Sequence, residues 1–181
     1  MIRALIFDFN GVLVDDEHVH YELLRDVLDE LGITITERDY QDRFLGFDDH
    51  GCFETALRES RRVDSPELIQ QLIARKAERY QDYAAKGLKY FPGAADVLTS
   101  LASRWPVAIC SGALRSEIDF ALRGLGVMDQ LAAIIAAEDT TRCKPDPEGY
   151  VLAWKALRAR PALGLDRLAP AECLVLEDSL A

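Results

Sequence analysis

No apolar run among the 181 residues approaches the roughly 20 that a membrane-spanning helix requires. Basic residues are the minority, 21 against 31 acidic, and the net charge of -10 argues against nucleic acid or an anionic membrane as a partner. The start, Met1-Ile2-Arg3-Ala4-Leu5-Ile6-Phe7-Asp8, reaches an acid too early for a secretory signal. Cysteine is sparse: Cys52, Cys110, Cys143 and Cys173 have no metal-like spacing, and three of them lie in or beside apolar strand-like runs. They read as small reduced core residues, which together with the missing leader predicts a cytoplasmic protein. Internal repeats and low-complexity segments are lacking too. What remains is an ordinary soluble mixture, 49% hydrophobic and 29% charged, long enough for one core domain and a small second one.

Four short runs are continuously apolar, rich in Val, Ile or Leu, and too short for helices: Ile2 to Phe7, Val107 to Cys110, Ala133 to Ala136 and Cys173 to Leu176. Helical patterns separate the last three runs or precede them: Ala94 to Ser103 after Pro92-Gly93, Leu114 to Leu122 after Ser111-Gly112, and Pro147 to Arg158 with proline in the first turn. Alternating strand and helix predicts an α/β fold with a doubly wound parallel sheet. The first strand is instead followed by about 75 residues of helical periodicity. Tyr21, Leu24, Val27, Leu28 and Leu31 recur at helical spacing up to Gly32, and Leu68, Ile69, Leu72, Ile73 and Ala77 do so after Asp64-Ser65-Pro66-Glu67. A separate helical module over residues 15–90 is expected, inserted into an α/β core of residues 1–14 and 91–181.

Chemistry-bearing side chains gather at the strand ends, where a rigid parallel sheet presents residues to ligands. Asp8 ends the first strand and opens Asp8-Phe9-Asn10-Gly11-Val12-Leu13-Val14-Asp15; Ser111-Gly112 follows the second; Glu177-Asp178 follows the last. Lys144 stands in Cys143-Lys144-Pro145-Asp146-Pro147-Glu148-Gly149-Tyr150. Singly, each has a plain explanation: acids at surface strand ends, a serine capping a helix, a solvated loop lysine.

In this order, the four segments resemble the motifs of the haloacid dehalogenase superfamily, and the helical insertion resembles the small cap of its beta-phosphoglucomutase-like and phosphatase branch. The resemblance implies a Rossmann-like core with a helical cap domain, a magnesium-dependent phosphatase, and a small phosphorylated metabolite as substrate. It implies Asp8 as nucleophile, Lys144 as the cation that neutralises it, and Ser111 and Gly112 as holders of phosphate oxygens. Glu177 and Asp178, with Asp8 and the Asn10 carbonyl, would bind Mg²⁺, a hard cation that takes oxygen ligands. His20 and Lys76 look like the branch's hinge histidine and cap lysine, and would contact substrate. Asp49 stands where the mutases carry a phosphate-gripping arginine, which weighs against mutase activity.

Asn10 is the departure at the centre of the site. The family's phosphatases place an acid there that protonates the departing alkoxide and then activates water; an amide does neither. Losing such assistance typically costs about 10² to 10⁴ in rate. Three explanations stay open: another base is recruited, the protein binds phosphorylated ligands with little turnover, or an aspartate has been exchanged to trap a complex. Dehalogenation, whose branch works without metal, fits the paired acids Glu177-Asp178 poorly. By resemblance some 30 to 40 residues of the core's usual end are missing, which predicts bare apolar surface worth about 25 cal/mol per Å², and a monomer or weak homodimer.

Overall fold

The computed structural model describes residues 1–178. Ser179, which closes the last motif, and the expected shortening of the core's end lie outside them. The chain divides into two compact units, one comprising Met1–Asp15 and the chain from Lys89 onward, the other Asp16–Leu88.

The first unit is α/β. Strands β1 (Ala4–Phe7), β2 (Val107–Cys110), β3 (Ala133–Ile135) and β4 (Cys173–Leu176) form a parallel sheet in the order β3-β2-β1-β4. Each strand lies within a continuous apolar run, as parallel strands covered on both faces require, although only β1 and β2 are buried along their whole length. Side chains alternate across the sheet. Ala4, Ile6, Ala108 and Cys110 pack on one face with Ala153 and Leu157 of α7 (Glu148–Arg158). Leu5, Phe7, Val107 and Ile109 are buried as well, as are Leu98 of α5 (Ala94–Ala102) and Ile118 and Leu122 of α6 (Arg115–Leu125). Leu174 and Val175 of edge strand β4 are exposed. The chain leaves and re-enters this unit along one ribbon: Val14 bridges Tyr90, Asp15 N–H donates to Lys89 O at 2.8 Å, and Phe91 N–H donates to Leu13 O at 3.2 Å.

The second unit holds four helices, α1 (Glu17–Asp29), α2 (Glu37–Arg43), α3 (Asp49–Glu59) and α4 (Pro66–Ala84). The starts of α2, α3 and α4 are set by side chains that accept otherwise unmatched N–H groups. Thr36 and Asp39 form a reciprocal capping box on α2, Asp48 accepts from Gly51 N–H at 2.8 Å, and Ser65 accepts from Leu68 N–H ahead of Pro66. Leu24, Leu28, Phe44, Phe53, Leu57 and Leu72 anchor its own apolar core. Among the described residues no helix is long and apolar enough to cross a membrane.

Candidate active site

Sheet register assembles the site. β1 pairs Phe7 with Leu176 on one side and with Ile109 on the other, so the residues just beyond these strands emerge side by side. The ladder continues one step further through Asp8 N–H to Leu176 O at 2.9 Å, setting Asp8 beside Glu177. Lys144 arrives from the loop before α7. That loop is fastened by Glu148, whose carboxylate accepts from the Thr141 and Arg142 N–H groups at 2.9 and 2.8 Å.

Lys144 Nζ lies 2.7 Å from Asp8 Oδ1 and 2.7 Å from Glu177 Oε1. Tyr150 O–H also donates to Glu177 Oε1, at 2.6 Å, and the Asp178 N–H donates to Glu177 Oε2 at 3.1 Å. Burial is the main cause that pushes the Asp8 carboxyl up to about 7; Glu177 adds to it, while Lys144 pulls the other way. Glu177 moves oppositely: burial is again the first influence, but hydrogen bonds from Lys144 and Tyr150 outweigh it and hold the group at about 2. Burial also works against the Lys144 ammonium, yet the neighbouring carboxylates carry its pKa above the ordinary lysine value.

Asp8, Glu177 and Asp178 each offer a carboxylate oxygen, all within 4.8 Å of one another. Asp8 and Glu177 thus share one ammonium, with a third carboxylate, Asp178, beside them. An all-oxygen donor set with excess negative charge fits a hard divalent cation such as Mg²⁺. Gly11, at φ 71°, sits directly under this cluster: a Cβ there would come 2.1 Å from Asp178 Oδ2. The loop turns back tightly, with Gly11 N–H donating to Val14 O at 2.9 Å and Leu13 N–H to Phe9 O at 2.8 Å.

Ser111 Oγ donates to Asn10 Oδ1 at 3.4 Å and accepts from Ala113 N–H at 3.1 Å. Helix α6 starts only at Arg115, so Ser111 and Gly112 stand in the turn before it and not at its first residue. The Leu114 N–H donates to Glu117 and the Arg115 N–H to Glu138. These two N–H groups are thus satisfied by one acid of α6, Glu117, and by one from the turn after β3, Glu138.

His20 and Lys76 come together in the helical unit, where both are buried. Lys76 Nζ is 2.9 Å from His20 Nδ1 and forms an ion pair with Asp49. His20 Nε2 faces Asp16 at 3.5 Å, Tyr80 O–H donates to Asp16 at 2.6 Å, and the His20 and Tyr80 rings stack at 5.0 Å. Asp49 is thus the counter-ion of Lys76. Arg75, the next residue along α4, instead pairs with Glu30 in an exposed contact.

Tyr150 was not singled out by its sequence, although it stands in the first turn of the helix that follows the Lys144 loop, a place from which a side chain reaches a strand end. Asp16 and Tyr80 gave no signal of their own. All four cysteines are free; Cys52 and Cys110 are buried, whereas Cys143 and Cys173 are half-buried and not full core residues.

The chain belongs to the haloacid dehalogenase-like hydrolases, whose family model matches residues 2–181. It is 28% identical over 188 residues to validoxylamine A 7'-phosphate phosphatase of Streptomyces hygroscopicus subsp. limoneus, covering 100% of this chain and 79% of that protein. To the phosphorylated carbohydrates phosphatase of Thermotoga maritima it is 26% identical over 179 residues, 98% of this chain and 77% of the other. Among solved structures, beta-phosphoglucomutase from Clostridium difficile superposes with a TM-score of 0.80 at 23% identity, over 98% of this chain and 76% of that one. The likeness in structure is one of α/β fold.

Proposed function

We propose that the protein is a Mg²⁺-dependent phosphatase of a small phosphorylated carbohydrate, acting through an aspartyl phosphate on Asp8. The observation that carries this is the Asp8–Lys144–Glu177 cluster, in which an otherwise repelled carboxylate is held 2.7 Å from an ammonium at the mouth of a parallel sheet. The similarity to phosphatases of phosphorylated sugars supports the substrate class.

In this scheme Asp8, Glu177, Asp178 and the Asn10 main-chain carbonyl would hold the metal. When bound, Mg²⁺ supplies positive charge against the phosphoryl oxygens and keeps Asp8 ionised. An Asp8 oxygen attacks phosphorus and the bond to the ester oxygen breaks. Lys144 stays between Asp8 and Glu177 and offsets charge on the transferring group, while Ser111 and the Gly112 N–H receive phosphate oxygens. The departing alkoxide then needs a proton, and the water that opens the aspartyl phosphate must lose one. Asn10 supports neither transfer, so both halves of the cycle run slowly. The helical unit is taken as the family's cap.

A second reading, a protein that binds a phosphorylated metabolite without turning it over, is favoured by Asn10 alone. Asn10→Asp separates the two. Assayed with Mg²⁺ on sugar phosphates and p-nitrophenyl phosphate, the variant should hydrolyse at least one ester about 10² to 10⁴ times faster than the parent. No turnover by Asn10→Asp on any ester would leave only the binding reading. Asp8→Asn in the same background should abolish activity.

A further inference from the structure

Glu177 presents one oxygen, Oε1, to two donors at once: Lys144 Nζ at 2.7 Å and the Tyr150 hydroxyl at 2.6 Å. Its other oxygen receives the Asp178 N–H. Lys144 Nζ in turn stands 5.3 Å from the centre of the Tyr150 ring, so the tyrosine touches both members of the pair, one through its edge hydroxyl and one through its face. The ring is carried on a well-seated first turn. Glu148 ties the Lys144 loop to that turn, and Gly149 lets it approach β2 so closely that a Cβ would lie 2.8 Å from Cys110 Sγ.

We propose that Tyr150 is a positioning residue of the reaction: its hydroxyl fixes the Glu177 carboxylate, and Glu177 so fixed holds Lys144 against Asp8. A lysine on a four-carbon stem has many rotamers and is a poor stationary cation by itself. Two carboxylates pin it only if each is immobile. Asp8 is immobile because its backbone continues the sheet ladder, whereas Glu177 stands just beyond the last residue of edge strand β4 and has a flexible side chain. The Tyr150 bond supplies the missing constraint from an independent element, α7. A tyrosine hydroxyl, whose ordinary pKa is about 10, keeps its proton at neutral pH and is the donor in this contact. No proton is transferred by Tyr150.

The proposal rests on the phosphatase reading for the use made of Lys144, but the contact itself can be read without turnover. Hydrogen exchange at the lysine ammonium groups, followed by heteronuclear NMR, should show slow exchange at Lys144, assigned by the loss of its signal in Lys144→Arg. Buried Lys76 serves as an internal control. Tyr150→Phe keeps the ring and removes only the hydroxyl. It should speed exchange at Lys144 by about 10-fold or more, the effect of losing a hydrogen bond to a charged group, and leave Lys76 unchanged. In the Asn10→Asp background the same change should lower kcat by about 10- to 100-fold with KM within about two-fold.

Three results would overturn the role. Lys144 exchange could match the parent in Tyr150→Phe and rise only in Tyr150→Leu, which would assign the effect to the ring. The Lys76 signal could collapse as well, which would make Tyr150 a general fold residue. Exchange could rise with kcat unchanged, which would mean that the pinned lysine does not serve the reaction. If neither the parent nor Asn10→Asp hydrolyses any ester, the phosphatase reading fails, while the exchange data still decide whether the hydroxyl holds the lysine.

Discussion

Asn10 and Gly11 adjoin in the loop after β1 and limit the site in different ways, the first by what its side chain cannot donate, the second by having none. Gly11 combines a left-handed φ of 71° with a space already filled by the Asp178 carboxylate. Gly11→Ala should lose about 1–2 kcal/mol of stability from backbone strain alone, and should push Asp178 out of the three-carboxylate cluster. A thermal melt reads the first effect; weaker binding in a Mg²⁺ titration reads the second, and unaltered Mg²⁺ affinity would detach Asp178 from the metal. Cys110, in β2 next to this site, has its thiol pushed up by burial to about 12, and buried Cys52 is raised as well. Since the thiolate is the reactive form, both should resist a thiol reagent at pH 8 in the folded protein and react after unfolding. Fast labelling of either thiol in the native state would contradict the packing around it.

At the scale of elements, the strands were legible as short apolar runs at residues 4–7, 107–110, 133–135 and 173–176, the first two because a strand buried on both faces must be apolar throughout. The residues that close those strands, Asp8, Ser111, Glu177 and Asp178, were legible for the same reason: they are the polar stops to apolar runs. Pairings across the sheet were not, since register is a long-range property, and neither was the reach of Tyr150 from α7 to Glu177. Nor could helical periodicity, which fixes a face but not the groups opposite it, show that Lys76 would pair with Asp49 and His20. That pairing predicts an order of effects. Asp49→Ala strands a buried ammonium and should cost roughly 3 kcal/mol, the lower part of the range for a broken buried pair, whereas adding Lys76→Met should recover much of it. Ser65→Ala removes the cap of α4 and should cost about 1 kcal/mol in a denaturant melt. An Asp49→Ala loss as small as that of Ser65→Ala would mean that the buried pair carries little.

For the molecule as a whole, a net charge of -10 sets the long-range field against an anionic substrate, so under the proposed function its phosphate would be captured by local positive groups and a metal. Screening should therefore help: kcat/KM of Asn10→Asp for a phosphate ester should rise as salt is added and the Debye length falls from about 30 Å at 0.01 M to about 8 Å at 0.15 M. A steep fall with salt would point instead to a cationic funnel. The central claim is that the unchanged protein can attack phosphorus with Asp8 but lacks the group that completes the cycle. Mass spectrometry of the intact chain and its peptides, after exposure to acetyl phosphate with Mg²⁺, tests this most directly. A persistent phosphoryl adduct on Asp8, absent from Asp8→Asn and short-lived in Asn10→Asp, is the expected result; no adduct, or one on another residue, would contradict it.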